Sequence, residues 1–472
     1  MNKLKLFITL VILSCQALGI AFAQQGGKPG AGYRAGFYDT AFPSERVYLN
    51  GSKGVAKGGF PRGTTTKDVA VEVIEMPYPV LLYTRKPDEI FVFGGTPLII
   101  QDYVSLADGL PAGSNRPSPY LAKINTTSGK ITYLDLKMGS GVPYLGGALV
   151  HANGYVYVVS QVHLYKVEPN TMTIEKSLAL PSVGPGTIYN GLATSSTGEL
   201  ILKSLTPKGG MQKIVLIDPS TLKVTFTLDY ECASPRLTVF PSKSGEEYLY
   251  HLNKKQTFRW LIKPGSLTLD KNWVVGFDPT GLGVGNNDEP TSPVIVGDMI
   301  YYTTNTNTDA KTPMRVFWQD INATYTPDMP PLTGPLLFDS KADRAGWSFT
   351  GLAGDDATGV LFANDQLNGL LMGFRLNKDG KIERLWERKI KTAQTTTSSG
   401  TGMIYVADYA DKVLNLVVLD VLTGEELLRI PTPAVRSSIG SIIFTENGDV
   451  YLAANEPGQA TGKLIRFYIR SK

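Results

Sequence analysis

The chain has 472 residues, with 46 basic and 42 acidic side chains, 10% aromatic residues, 49 glycines and 30 prolines. Charge this evenly balanced excludes a nucleic-acid or acidic-membrane partner, either of which would need a basic excess gathered on one face. Outside its opening residues the chain has no run near the roughly 18 apolar residues of a membrane-spanning helix, so no transmembrane segment is expected.

The opening, MNKLKLFITLVILSCQALGIAFAQQGG, places two lysines before an apolar stretch and then Ala21-Phe22-Ala23. That order is read as a secretory signal peptide over residues 1–23, cut after Ala23, which predicts a secreted or periplasmic protein. Lipidation at Cys15 is the rival reading, but Cys15 lies inside the apolar stretch with the A-x-A site behind it. Removal of the signal leaves Cys232 as the one cysteine, so stability must come from buried apolar area and not from an internal disulfide. Residues 24–66 are Gly-rich and basic, and are expected to form an irregular N-terminal arm lying across a main domain of residues 67–472 through Tyr33, Phe37, Tyr38 and Phe42.

Beyond the arm one pattern recurs: a small or apolar run, a polar turn, and a second run with Tyr, Phe or Leu near its middle. It begins at Leu81, Ala148, Gly191, Leu237, Thr291, Gly351, Thr396 and Ser441. Short β-branched and aromatic runs around Gly, Asn or Asp read as hairpins, and repetition at a fixed spacing marks a propeller. Most copies are followed by a second hairpin whose turn opens on Asn125, Glu168, Asp218, Asn377 or Asp420. An Asn or Asp there folds back on the backbone N–H groups that follow, whereas Glu168 is expected to be too long to do so well. Two hairpins per repeat make a four-stranded blade. The prediction is therefore an all-β chain folded as a single β-propeller of eight four-stranded blades, with seven as the alternative if an irregular blade is miscounted. The fourth and fifth blades are the irregular ones. KDVAVEVIEM, residues 67–76, is assigned as the missing outer strand of the last blade, closing the ring by pairing the two ends of the chain.

SPVIVGDMIYY, from Ser292, and LVVLDVLTGEELLRI, from Leu416, resemble the two halves of the repeat of the quinoprotein (PQQ-like repeat) β-propeller superfamily. Leu419-Asp420 and Thr423-Gly424 match its second half, while Leu428 stands where that repeat often carries Trp. Enzymes of that family hold pyrroloquinoline quinone between a tryptophan floor and a disulfide of adjacent cysteines, beside calcium and an aspartate base. This chain has no vicinal cysteines, so the quinone is not carried over. NGLATSSTGELIL, from Asn190, and TGLAGDDATGVLFAND, from Thr350, are more faintly similar to gluconolactonase-like and yellow-like propellers. In the lactonase type an Asn at such a strand start helps to ligate a channel metal, and that resemblance makes Asn190 a candidate ligand.

Asp288-Glu289, after GVGNN, supplies the oxygen donors a calcium or other divalent ion would take, although the twelve-residue calcium-loop pattern is missing. His151, His163 and His251 have no metal-ligand spacing within the chain; His151 is a channel candidate only if blades bring donors together. Asp355-Asp356 reads as a hairpin turn, and the five tryptophans as blade packing. No nucleophile elbow, phosphate loop or dinucleotide fingerprint occurs in usable context. These readings give three functions: an exported, monomeric binding or scaffolding propeller for a protein or glycan; a metal-dependent hydrolase, lactonase or lyase using Asn190, His151, Asp288 and Glu289; and a quinoprotein-type oxidoreductase.

Overall fold

A computed structural model describes residues 35–47, 50–95, 118–136, 145–206, 211–231, 236–278, 289–305, 314–338, 346–377, 380–434, 440–455 and 459–470. The signal segment with Cys15, Tyr33, Cys232 and Asp288 lie outside them. The chain is all-β, and its strands form eight sheets in a β-propeller. Every inner hairpin follows the recurring pattern: Pro79–Thr84 with Glu89–Gly94 opens blade 1, and Leu145–Val150 with Val156–Ser160 opens blade 2. Ile188–Thr194, Thr238–Pro241, Val294–Val296, Ala353–Asp355, Thr395–Ser398 and Ile442–Phe444 are the inner strands of blades 3 to 8.

Strand burial follows from this stacking. In blade 3 the second strand, Leu200–Leu205, is buried at nearly every position, because blades on both sides cover it. Its outer strand, Lys223–Glu231, alternates regularly between exposed and part-buried, as expected for one face against the sheet and one in solvent. Tryptophans on outer strands tie neighbouring blades together. Trp273 of blade 4 donates Nε1–H to the Asp320 carbonyl of blade 5 at 3.1 Å, and Trp386 of blade 6 donates to Val421 of blade 7 at 2.9 Å. Gly424 makes the second contact feasible: its φ is +64°, and a Cβ there would stand 2.5 Å from the Trp386 ring.

The ring closes through the two ends of the chain. Val69–Met76 pairs antiparallel with Gly462–Ile469, from Val69 opposite Ile469 to Met76 opposite Gly462. Arg466 reinforces the seam by pairing with Glu72 and Asp449. Closure leaves the last blade without an open edge on its third strand.

Two details differ from the sequence reading. Blade 4 is regular, its outer hairpin pairing Gln256–Lys263 with Ser266–Gly276. Blade 5 is the irregular one: its inner strand is broken into Glu289–Pro290 and Val294–Val296, and the segment outside Val316–Asp320 makes only isolated bridges, such as Arg315 with Leu336. Glu168 also turns its chain as well as the shorter acids do. Its carboxylate accepts from the Thr171 N–H at 2.6 Å and the Thr171 hydroxyl at 2.8 Å. It reaches the third residue on, as Asp218 does at 3.2 Å, while Asp218 also takes the second at 2.7 Å.

Candidate functional site

The inner strands surround a central channel, and the segment from Gly36 to Phe60 touches all eight of them. The Phe42 carbonyl accepts from Thr84 of blade 1 at 2.9 Å, and Pro43 from Val150 of blade 2 at 2.7 Å. Gly36 lies against Thr194 and Ser195 of blade 3, and Arg46 Nη1 donates to the Thr238 hydroxyl of blade 4 at 2.9 Å. Asn50, Ser52 and Lys53 carbonyls accept from Ile295, Gly354 and Thr397 of blades 5, 6 and 7. The Phe42 ring meets Phe444 of blade 8 edge-on, with centroids 5.5 Å apart. Only a segment on the axis can reach every inner strand, so the arm fills the channel. Its carbonyls take up N–H groups that would otherwise need water.

The arm runs in and out from one side. Phe37 bridges to His151 in the inner turn of blade 2, whereas Arg46 reaches the Pro293 carbonyl and Glu45 pairs with Arg236, both just ahead of inner strands. Gly54–Val55 then pairs parallel to Thr397–Ser398, and Arg62 pairs with Asp420 in the outer turn of blade 7. Entry and exit are thus both on the face where the hairpins turn. Asn50-Gly51, with Gly51 at φ +68°, lies on the return path.

At the inner end of this excursion sits a cluster of charges. Arg46 spends Nη1 and Nη2 on Thr238, Gly51 and Pro293, and burial lowers its guanidinium to about 10, with Glu45 opposing. Lys53 is 6% exposed and donates from Nζ to the Thr350 carbonyl at 2.8 Å. Burial pushes its ammonium down to about 7, Arg46 adding to the fall and Glu45 opposing it. Arg236 holds the Glu45 carboxylate at 2.9 Å and the Gly146 carbonyl at 3.0 Å. A cavity of about 30 Å³ lies against Phe37, Glu45, Arg46 and Arg236. A larger groove of about 510 Å³ opens at the mouth of the channel, between Asp39–Ala41, Val55–Gly58 and Thr445–Glu446.

The residues singled out in the sequence fall elsewhere. His151 sits in the inner turn of blade 2, its Nε2 bonded to the Gly198 carbonyl at 2.9 Å and its Nδ1 accepting from Asn153 N–H at 3.1 Å. Burial holds its ring below the usual imidazole range. Asn190 is buried at the bulge of the inner strand Ile188–Thr194. Glu289 opens the broken inner strand of blade 5, opposite Asn305. Among the described residues no three His, Cys, Asp or Glu side chains come close enough together to hold a metal. Asp355 serves its turn, accepting from the Thr358 N–H at 3.1 Å and from Ser399, while Asp356 accepts from Asn50 at 3.0 Å and is raised by burial to about 6.

Sequence reasoning passed over Glu45, Arg46 and Lys53 because it laid the arm across the domain through its aromatic residues alone, and over Arg236 because it lies some 190 residues from the arm.

No family model matches the chain, and no curated protein matches its sequence. Solved structures do match in fold. A europium-containing methanol dehydrogenase aligns with a TM-score of 0.59 at 8% identity, covering 91% of this chain and 98% of that one. The Dos1 propeller aligns with a TM-score of 0.55 at 9% identity, covering 84% and 93%. A 6-phosphogluconolactonase-type protein from Bacteroides uniformis is also matched, at a TM-score of 0.44 and 14% identity, covering 73% and 96%, too loosely to bear on activity. The class of protein is therefore an eight-bladed β-propeller, and at such identities the likeness to these structures concerns fold alone.

Proposed function

We propose that this is an exported β-propeller that acts as a binding or scaffolding module for a protein or glycan, using the face opposite the hairpin turns. The observation that carries this reading is the arm itself. A propeller enzyme of the channel type needs its axis free for substrate and cofactor, and here Phe37, Phe42, Arg46, Val47, Asn50 and Lys53 occupy it, each under 9% exposed. What is left for recognition is an outer surface. Apart from the 32 residues between Asp320 and Ala353, the connections that vary most in length leave from the face away from the turns, including 25 residues between Gly94 and Tyr120. Loops on a rigid scaffold are where binding residues collect. Export rests on the leader sequence, and among the described residues no helix is long and apolar enough to cross a membrane.

The test is site-specific photo-crosslinking in the intact exporting cell. Crosslinkers at the exposed Ser182 and Lys254, on the connection face, should capture a defined partner that crosslinkers at the exposed Thr197 and Lys243, on the turn face, do not. Capture from the turn face alone would overturn the assignment of the face. A stoichiometric metal in the purified protein, together with hydrolysis of a lactone or polysaccharide, would replace the binding module with the metal-dependent enzyme.

A further inference from the structure

The arm fills the channel but leaves its mouth open on the turn face. There its entering pass, at Asp39–Ala41, and its leaving pass, at Val55–Gly58, part around the inner turn of blade 8 at Thr445–Glu446, and the groove between them holds about 510 Å³. Small-molecule sites run from roughly 300 to 1,000 Å³, so the groove has the capacity of one. Gly58 keeps its wall low: its φ is +124°, and a Cβ there would stand 2.7 Å from Phe444 Cβ. Three charged side chains line the groove, the Asp39 and Glu446 carboxylates and the Lys57 ammonium, all of them exposed. Among the described residues none of the three is in an ion pair. Elsewhere on the ring charges find partners, as Arg466 does in Glu72 and Asp449. Thr445, 4% exposed, adds a buried hydroxyl without a hydrogen-bond partner.

We propose that this groove binds a short peptide by its two charged ends, the α-ammonium set against Asp39 and Glu446 and the terminal carboxylate against Lys57. A ligand of one charge would meet one sign in its favour and the other against it, whereas a free peptide carries both. Three extended residues span about 10 Å, which a groove of this volume accommodates. Ion pairs on an open surface contribute little, but a concave site that excludes part of the water strengthens each of them. The Thr445 hydroxyl, turned about its Cα–Cβ bond, would gain a peptide group as partner. The groove lies on the face opposite the one proposed for the protein or glycan partner, so the two readings stand or fall separately.

The experiment is calorimetric titration of the purified protein with trialanine at pH 7 and low salt, where both ends of the peptide are charged. N-acetyl-trialanine lacks the ammonium, trialaninamide lacks the carboxylate, and cellobiose has neither. Saturable binding of trialanine is expected, about tenfold weaker for either capped peptide, the size of one charge-assisted hydrogen bond, and weaker again as salt is added. Lys57→Gln and Glu446→Gln alter exposed side chains and should leave the fold intact. Lys57→Gln should weaken trialanine about tenfold and leave trialaninamide unchanged, while Glu446→Gln should weaken trialanine and leave N-acetyl-trialanine unchanged. No saturable binding of trialanine, equal affinity for the capped peptides, or an equal effect of Lys57→Gln on trialanine and its amide overturns the proposal. Tighter binding of cellobiose than of trialanine also overturns it and assigns the groove to a sugar.

Discussion

On the face where the hairpins turn, the two strands of each hairpin are joined by two to five residues, and only the irregular blade 5 sends out a longer link there, 32 residues between Asp320 and Ala353; on the opposite face the connections range from two to 25. The short turns are chemically uniform. Asn125 accepts from the Ser128 N–H at 2.7 Å, Asp218 from Ser220 at 2.7 Å and Asp420 from both Leu422 and Thr423 at 2.9 Å. The arm also enters and leaves the channel on this side. A hairpin must reverse two strands already in register, so its turn is short and its side chains are chosen by the backbone. On the other face the links within a blade also join paired strands, as between Ser160 and His163, but the links from blade to blade reverse no such pair, and doubling the length of one costs only about 0.6 kcal/mol of closure entropy. One face is thus held to short, self-bonded turns, while the links between blades on the other are free to vary in length.

Several changes would break or sharpen that contrast. Phe42→Ala should have the largest effect, because Phe42 is 2% exposed, packs edge-on against Phe444 and anchors the arm to two blades. A loss of about 3–5 kcal/mol in denaturant unfolding is expected. A loss under about 1 kcal/mol would mean that the arm decorates the channel without supporting it. Asp420→Ala should come next, at about 1–3 kcal/mol, since it strips acceptors from two backbone N–H groups and releases Arg62. The measurement is the shift in urea midpoint.

A pH titration tests the buried histidines. His251 lies among Tyr230, Phe258 and Lys203, with both ring nitrogens unpartnered, and burial pushes it well below its ordinary 6.5. His151 is lowered for the same reason. The unfolded chain then binds more protons than the folded one below about pH 6.5, so stability is full above that value and falls as the pH drops toward the folded-state values. His251→Phe should flatten this decline; an unchanged slope would remove His251 as its source. The smallest effect is expected from inserting four glycine and serine residues between Pro185 and Gly186, in the link from blade 2 to blade 3 on the connection face. Stability should move by no more than about 0.5 kcal/mol. The same insertion between Ser220 and Thr221 of a turn should cost more, and equal costs would erase the difference between the faces.

Much of the ring was legible before any coordinates. Alternation and turn residues marked all eight inner hairpins, because a blade repeats the same local problem eight times and solves it with the same residue types. The closing strand at 69–76 was legible too, since the last repeat lacked an outer partner. Blade 4 looked irregular only because Lys263-Pro264-Gly265-Ser266 departs from the usual Asp-initiated turn, though it turns the chain as tightly. Asp288, Glu289 and His151 were chosen for their chemistry and Asn190 for a resemblance, and neither says which side chains face each other across a ring.

Local sequence by itself determined where the inner hairpins lie, which turns are tight, and that the blades number seven or eight, because those depend on neighbours a few residues apart. The tertiary structure alone decided that the arm would run up the axis, that Lys53 and Arg46 would lose their water there, and that Arg236, about 190 residues away, would meet Glu45. Those outcomes depend on contacts between distant parts of the chain. Such contacts exist only once eight separate hairpins have closed into a ring and left a channel for the arm to fill.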